Sequence, residues 1–236
     1  MNDTSRHRAG DSAELSGALS EGPLVTEGPG LLVMDVDSTL IEQEVIELIA
    51  ERAGTHELVA EVTARAMRGE LDFAASLRER VATLAGVPQG VFAEVLAEVR
   101  PTQGAAELIE ALHARGCRVG VVSGGFEEVV VPLAERLGID HVAANRLEVV
   151  EGRLTGRVMG RIVDRQEKVR CLIAWAQQDG VPMERTIAVG DGANDLGMLE
   201  AAGLGVAFCA KPVVVEQADA AIHVRDLRAF LQLIGG

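Results

Sequence analysis

Apolar residues recur along this chain with two different rhythms. Short unbroken runs mark one of them: LLVM at 31–34, RVGVVS at 118–123, HVAAN at 141–145 and TIAV at 186–189, with shorter runs near Gly205 to Phe208 and Ala221 to His223. Runs that do not alternate suit strands buried on both faces, the usual state of a parallel sheet. The other rhythm is helical and covers 105–115, 127–137 and 165–179, between the short runs. Strands alternating with helices imply right-handed crossovers and a sheet covered on both faces. After HVAAN, the pattern LEVV, a Glu151-Gly152 turn and RLTGRV predicts a small β-hairpin.

One stretch breaks the alternation. After LLVM come some sixty residues of purely helical pattern: a helix beginning near Ile41 with Gly54 as its C-cap, helices at 56–68 and 71–85 broken at Gly69, and one at 88–99 that stops before Pro101. That is too long for a single crossover and predicts an inserted helical cap over 42–100. Residues 1–24 are rich in Ser, Gly and acids without an apolar period, and are expected to be a disordered tail. The expected fold is α/β, a doubly wound, Rossmann-like parallel-sheet core over 25–41 and 101–236 carrying that cap and the hairpin.

The strand ends carry the candidate chemistry. LLVM runs into Asp35 and Asp37, which alternation would put on one side, about 7 Å apart. Ligand crevices of open α/β sheets lie beyond the carboxyl ends of the strands, and two acids there repel unless a cation or proton sits between them. RVGVVS ends in Ser123-Gly124-Gly125, where a hydroxyl and free N–H groups before a helix form a phosphate seat or an ordinary βα turn. Lys168 falls on an early helical turn, where only its context could recruit it as a phosphate counter-charge. TIAV ends in GDGAND, where Asp191, Asn194 and Asp195 supply oxygen ligands suited to Mg²⁺, although Asn194 or Asp195 would also serve as an N-cap.

Charge and composition then narrow the partners. A formal net charge of -14 with no basic run argues against nucleic acid or an anionic membrane as the main partner. No stretch approaches a membrane span, and the N-terminus lacks the apolar core of a signal peptide. Cys117, Cys171 and Cys209 are odd in number and scattered, which fits core residues of a reduced, cytoplasmic protein. The five histidines show no ligand spacing.

Taken in order, DVDST, SGG, Lys168 and GDGAND resemble the four motifs of the haloacid dehalogenase superfamily of phosphotransferases. Asp37, two residues after the expected nucleophile, is a feature of that superfamily's phosphatases. Dehalogenases lack it, and P-type ATPases have lysine there. The run AMRGELDFAASLRERVATLAG at 66–86 is also similar to the cap helix of the phosphoserine phosphatase family, matching at Met67, Gly69, Phe73, Ser76, Leu77, Arg80, Val81 and Leu84.

This resemblance implies Mg²⁺-dependent hydrolysis of O-phospho-L-serine through an aspartyl-phosphate, a step of serine biosynthesis. It implies Asp35 as nucleophile and Asp37 as general acid and base. Asp35, the Asp37 carbonyl and Asp191 would hold Mg²⁺, and Lys168, Ser123 and the Gly124 N–H would hold the phosphoryl oxygens. Glu44 would take the substrate ammonium and Arg80 its carboxylate, with Met67 and Phe73 lining the pocket. Asn194, also counted with the substrate contacts, and Asp195 would orient the metal shell and Lys168 from a second layer. A phosphotransferase using an alcohol such as homoserine, and a signalling receiver domain, are the alternatives. The latter has no sixty-residue cap. Many relatives carry an N-terminal regulatory domain, and the expected tail is too short to fold one.

Overall fold

The computed structural model describes residues 15–16 and 22–233, apart from the side chain of Met67. In chain order the elements are β1 (Leu15–Ser16), α1 (Pro23–Thr26), β2 (Leu31–Met34), α2 (Val45–Ala53), α3 (His56–Met67), α4 (Phe73–Ala82), α5 (Val91–Glu98), α6 (Ala105–Ala114), β3 (Arg118–Phe126) and α7 (Glu127–Leu137). There follow β4 (His141–Val150), β5 (Arg153–Met159), α8 (Arg165–Gln178), β6 (Thr186–Gly190), α9 (Leu196–Ala201), β7 (Leu204–Phe208), α10 (Pro212–Val215), β8 (Ala220–Ile222) and α11 (Ala229–Leu233).

The strands form one sheet in the order β1-β8-β7-β6-β2-β3-β4-β5. Neighbours from β8 to β4 are parallel, while β1 and β5 lie antiparallel at the edges. The run LLVM is the central strand. Leu32 and Met34 enter a large apolar cluster on one face, and Leu31 and Val33 a smaller one on the other. Burial on both faces is why this strand shows no alternation. The chain proceeds from β2 to β3 on one side and returns as β6 on the other, so the winding direction reverses at β2 and a crevice opens beyond its carboxyl end.

Helices α2 to α5 form an insertion that leaves and rejoins the sheet unit at one point. There Ile41 bridges Pro101, the Glu42 N–H donates to the Arg100 carbonyl (3.1 Å), and the Thr102 N–H donates to the Leu40 carbonyl (2.8 Å). Its apolar residues do not form a core of their own: Val45, Ile49, Leu77, Val81 and Leu84 join the same cluster as Leu32 and Met34. The hairpin ties into it as well, since the Gly86 N–H donates to the Leu154 carbonyl (2.8 Å) and the Leu154 N–H to the Val87 carbonyl (2.9 Å).

Three expectations change in detail. Most of the expected disordered tail lies outside the described residues, but Leu15–Ser16 pair with Ile222 and Ala221. This pairing covers the otherwise bare edge of β8, and Leu24 is buried in the main cluster. The strand expected to end at Ser123 continues to Phe126, with a register shift between Val122 and Phe126 that takes up the Gly-Gly pair. HVAAN and LEVV are one strand, β4, whose first half joins the parallel sheet and whose second half forms the hairpin. No helix among the described residues is long and apolar enough to cross a membrane.

Candidate active site

Strand β2 ends at Met34, and Asp35 continues in extended backbone (φ -67°, ψ 164°). Its N–H donates to the Val189 carbonyl (2.9 Å), which fixes it against β6. Asp37 is not on the strand, so strand alternation does not align the two acids. It sits in the turn over 36–40, ahead of Ser38 at φ +59°, and its Oδ1 accepts from the Val45 N–H (3.3 Å). Both acids line one cavity of about 250 Å³, together with Glu44, Phe73, Arg80, Gly124, Asp191, Asn194 and Lys211.

Lys168, on the first turn of α8, is wholly buried beneath this cavity. Its Nζ lies 2.6 Å from Asp35 Oδ1 and 2.6 Å from Asp195 Oδ1. The other Asp195 oxygen accepts from the Gly192 N–H (2.9 Å), so Asp195 is a strut for lysine and turn together. Gly190 makes room for it, because a Cβ there would strike the Asp195 carboxylate. Ser123 is buried under the floor, its Oγ accepting from the Gly125 N–H (2.8 Å). Gly124 faces the cavity, and a Cβ on it would come within 2.9 Å of Phe73 Cζ.

Of the expected site residues, Asp35, Asp37, Glu44, Phe73, Arg80, Gly124, Asp191 and Asn194 meet at the cavity, with Lys168, Asp195 and Ser123 packed behind it. Met67 ends α3, and its side chain lies outside the described residues. The structure brings three further residues to the site. The Ser38 hydroxyl donates to Glu44 Oε1 (2.8 Å). Buried Asn145 straps the SGG segment, donating from Nδ2 to the Gly124 carbonyl (2.8 Å) while its Oδ1 accepts from the Val163 N–H (2.9 Å). Lys211 stands at the rim, and its signal was present in the sequence: the chain has two lysines against twenty arginines, and both lie at this site.

Enclosing this many acids raises their proton affinity. Burial pushes Asp35 up to about 7, against the pull of Lys168, and pushes Asp191 up to about 6, with Asp195 and Glu44 adding to it. Asp37 is driven well above the usual carboxylate range by burial, then by Glu44 and Asp35. Glu44 is raised by burial, in part offset by the Ser38 hydroxyl. Lys168 loses affinity through burial but gains more from Asp195 and Asp35, which keep it charged. Burial lowers Arg80, while Glu44 and Asp37 favour its charged form.

The donors suit a hard cation. Carboxylate oxygens of Asp35, Asp191 and Asp195 lie within 4.8 Å of one another, with no nitrogen or sulfur ligand among them. Because Asp195 is committed on both oxygens, Asp35 and Asp191 are the acids left for an ion. An all-oxygen set of few carboxylates in an anionic crevice fits a hard divalent metal ion.

Comparisons with known proteins agree with this geometry. The haloacid dehalogenase-like hydrolase family model matches residues 32–200. Phosphoserine phosphatase of Streptococcus thermophilus is 53% identical over 210 residues, covering 89% of this chain and 98% of that protein. Phosphoserine phosphatase of Streptomyces coelicolor is 60% identical over 205 residues, and there the chain spans 50% of the relative's length. A solved structure described as a phospho-aspartyl intermediate analogue of phosphoserine phosphatase superposes with a TM-score of 0.81 at 45% identity, covering 86% of this chain and 98% of that one. With the four motifs converging on one crevice and the family model spanning all of them, the chain belongs to the haloacid dehalogenase-like hydrolases.

Proposed function

We infer that this chain hydrolyses O-phospho-L-serine to L-serine and phosphate through an aspartyl-phosphate on Asp35. The observation that carries the reading is a pair of opposite charges left unpaired in one small cavity. Glu44 and Arg80 both line it beside Asp35, yet they form no ion pair with each other. The only hydrogen bond from the Arg80 guanidinium among the described residues is a long one, from Nε to the Ser76 carbonyl (3.4 Å). A ligand carrying both an ammonium and a carboxylate would complete each. The phosphoserine phosphatase relatives support the same substrate.

A phosphomonoester dianion repels a carboxylate nucleophile, so the site must supply positive charge. Lys168, in contact with the attacking carboxylate, would do this from below, while Ser123, buried under the floor, and the Gly124 N–H would hold phosphoryl oxygens. Asp35, Asp191 and the Asp37 carbonyl would hold Mg²⁺, which when bound neutralises phosphoryl and carboxylate charge. A carboxylate oxygen of Asp35 attacks phosphorus and the ester P–O bond breaks. Asp37, whose raised proton affinity suits a general acid, gives its proton to the departing serine oxygen. It then takes a proton from the water that attacks the aspartyl-phosphate, and phosphate leaves. Asp195 holds the turn and Lys168 in register, and Asn194 on the cavity wall would orient the metal shell. The insertion over 42–100 acts as a cap, bringing Phe73 over Gly124 to exclude water.

A cytoplasmic setting is supported by three free cysteines, and the charge of -14 disfavours nucleic acid. Phosphate release from O-phospho-L-serine and a panel of other phosphomonoesters, with Mg²⁺ and in EDTA, tests the reading. Release from phosphoserine that needs Mg²⁺ and vanishes in Asp35→Asn is expected. Undiminished turnover in Asp35→Asn would overturn it. Adding homoserine and looking for phosphohomoserine separates transfer to an alcohol from transfer to water.

A further inference from the structure

Beside the catalytic cavity lies a second hollow of about 420 Å³, between helices α3 and α4 on one side and the turn at 192–194 on the other. The two meet at Phe73, Arg80 and Lys211, so the second opens into the first. Its charge is one-sided. Arg80, Arg165 and Lys211 line it, and none of its lining residues is acidic. Neighbouring arginines are neutralised, Arg65 by Glu79 and both Arg161 and Arg170 by Glu167. None of the three lining cations has an ion-pair partner among the described residues.

Arg165 is an exposed side chain that packs over the start of α9. Its side chain lies across Gly197, where an added Cβ would come within 3.3 Å of Arg165 Cγ and 3.2 Å of Nε. A chain of net charge -14 on the whole repels an approaching dianion. An acid-free hollow with three cations, leading into a site that processes an anion, reverses that repulsion locally. We propose that this hollow is an antechamber that binds a phosphate dianion, the phosphoryl end of the incoming substrate or the departing orthophosphate, through Arg165 and Lys211. Guanidinium and ammonium groups recognise phosphate oxygens by charge-assisted hydrogen bonds. The assignment rests on the phosphatase reading only in taking the hollow as the route to Asp35.

Two measurements on Arg165→Glu test it, in the Mg²⁺-loaded enzyme at low and high NaCl: kcat/KM for phosphoserine, and the Kd for inorganic phosphate by calorimetry. Arg136→Glu makes the same change of net charge at an exposed residue that lines neither cavity. At low salt, Arg165→Glu should lower kcat/KM and weaken orthophosphate by about tenfold, shrinking toward twofold at high salt as screening removes the field. Arg136→Glu should change neither. Equal effects of the two variants, or an Arg165→Glu loss that salt does not relieve, would overturn the antechamber. If wild type binds orthophosphate with the expected variant and salt dependence but does not hydrolyse phosphoserine, the antechamber stands and the serine assignment falls.

Discussion

Phe73 Cζ stands 2.9 Å from the point where a Cβ on Gly124 would be, so the insertion closes on the sheet unit through contact between a ring and a bare backbone. A methyl group at 124 must displace the ring. Gly124→Ala is therefore expected to raise KM about tenfold by holding the cap off the floor. Shortening the ring in Gly124→Ala/Phe73→Leu should recover at least half of that loss, a non-additivity readable in a double-mutant cycle. Simple additivity would mean that the two residues do not govern closure together.

Lys168 stands under the site with two carboxylates at 2.6 Å and no exposure to solvent. Replacing it with methionine leaves Asp35 and Asp195 buried without their cation. Loss of one partner from a buried ionic cluster costs about 3–5 kcal/mol, so Lys168→Met should fall by that order in urea unfolding as well as losing activity. Adding Asp195→Asn to Lys168→Met removes one stranded charge and should return part of the stability. A single variant as stable as wild type would contradict the strut.

The acids of the crevice predict an unusual slope of stability with pH once metal is chelated away. Asp191 at about 6 and Asp35 at about 7 bind protons more tightly in the fold than the ordinary 3.8. A group raised in this way stabilises fully below its unfolded value, and that contribution is lost as pH rises through its folded value. In EDTA the urea midpoint should therefore fall between about pH 5 and pH 8, and Asp191→Asn should flatten the fall by about 1–2 kcal/mol. Added Mg²⁺ should oppose the slope, because a cation held by these acids would need them deprotonated. Parallel slopes for wild type and Asp191→Asn would contradict these positions.

Much of the site was legible because it lies where apolar runs stop. LLVM, RVGVVS and TIAV place Asp35, Ser123 and Asp191 at three adjacent strand ends, and the sheet order brings those ends together. Less legible was anything set by contact across the chain. The Gly-Gly pair after Ser123 reads as a turn, yet Asn145 straps it into the strand from 21 residues away. Asp37 reaches the cavity through the left-handed turn at Ser38, which strand alternation could not indicate. That the cap shares the sheet's core was not legible either, because a helical period reports one apolar face and not the partner that covers it.

The central claim is that Glu44 and Arg80 read the two charges of the serine head group, and the most direct measurement compares three substrates in two proteins. Phosphoethanolamine lacks the carboxylate and phosphoglycolate the ammonium, so each leaves one enclosed charge unmatched. Such an unpaired charge costs about 2–5 kcal/mol, and both analogues should lose at least ~30-fold in kcat/KM against phosphoserine. Arg80→Ala should then depress phosphoserine far more than phosphoethanolamine, which never engages the guanidinium. Equal depression of both, with phosphoglycolate the better substrate of wild type, would contradict the serine assignment.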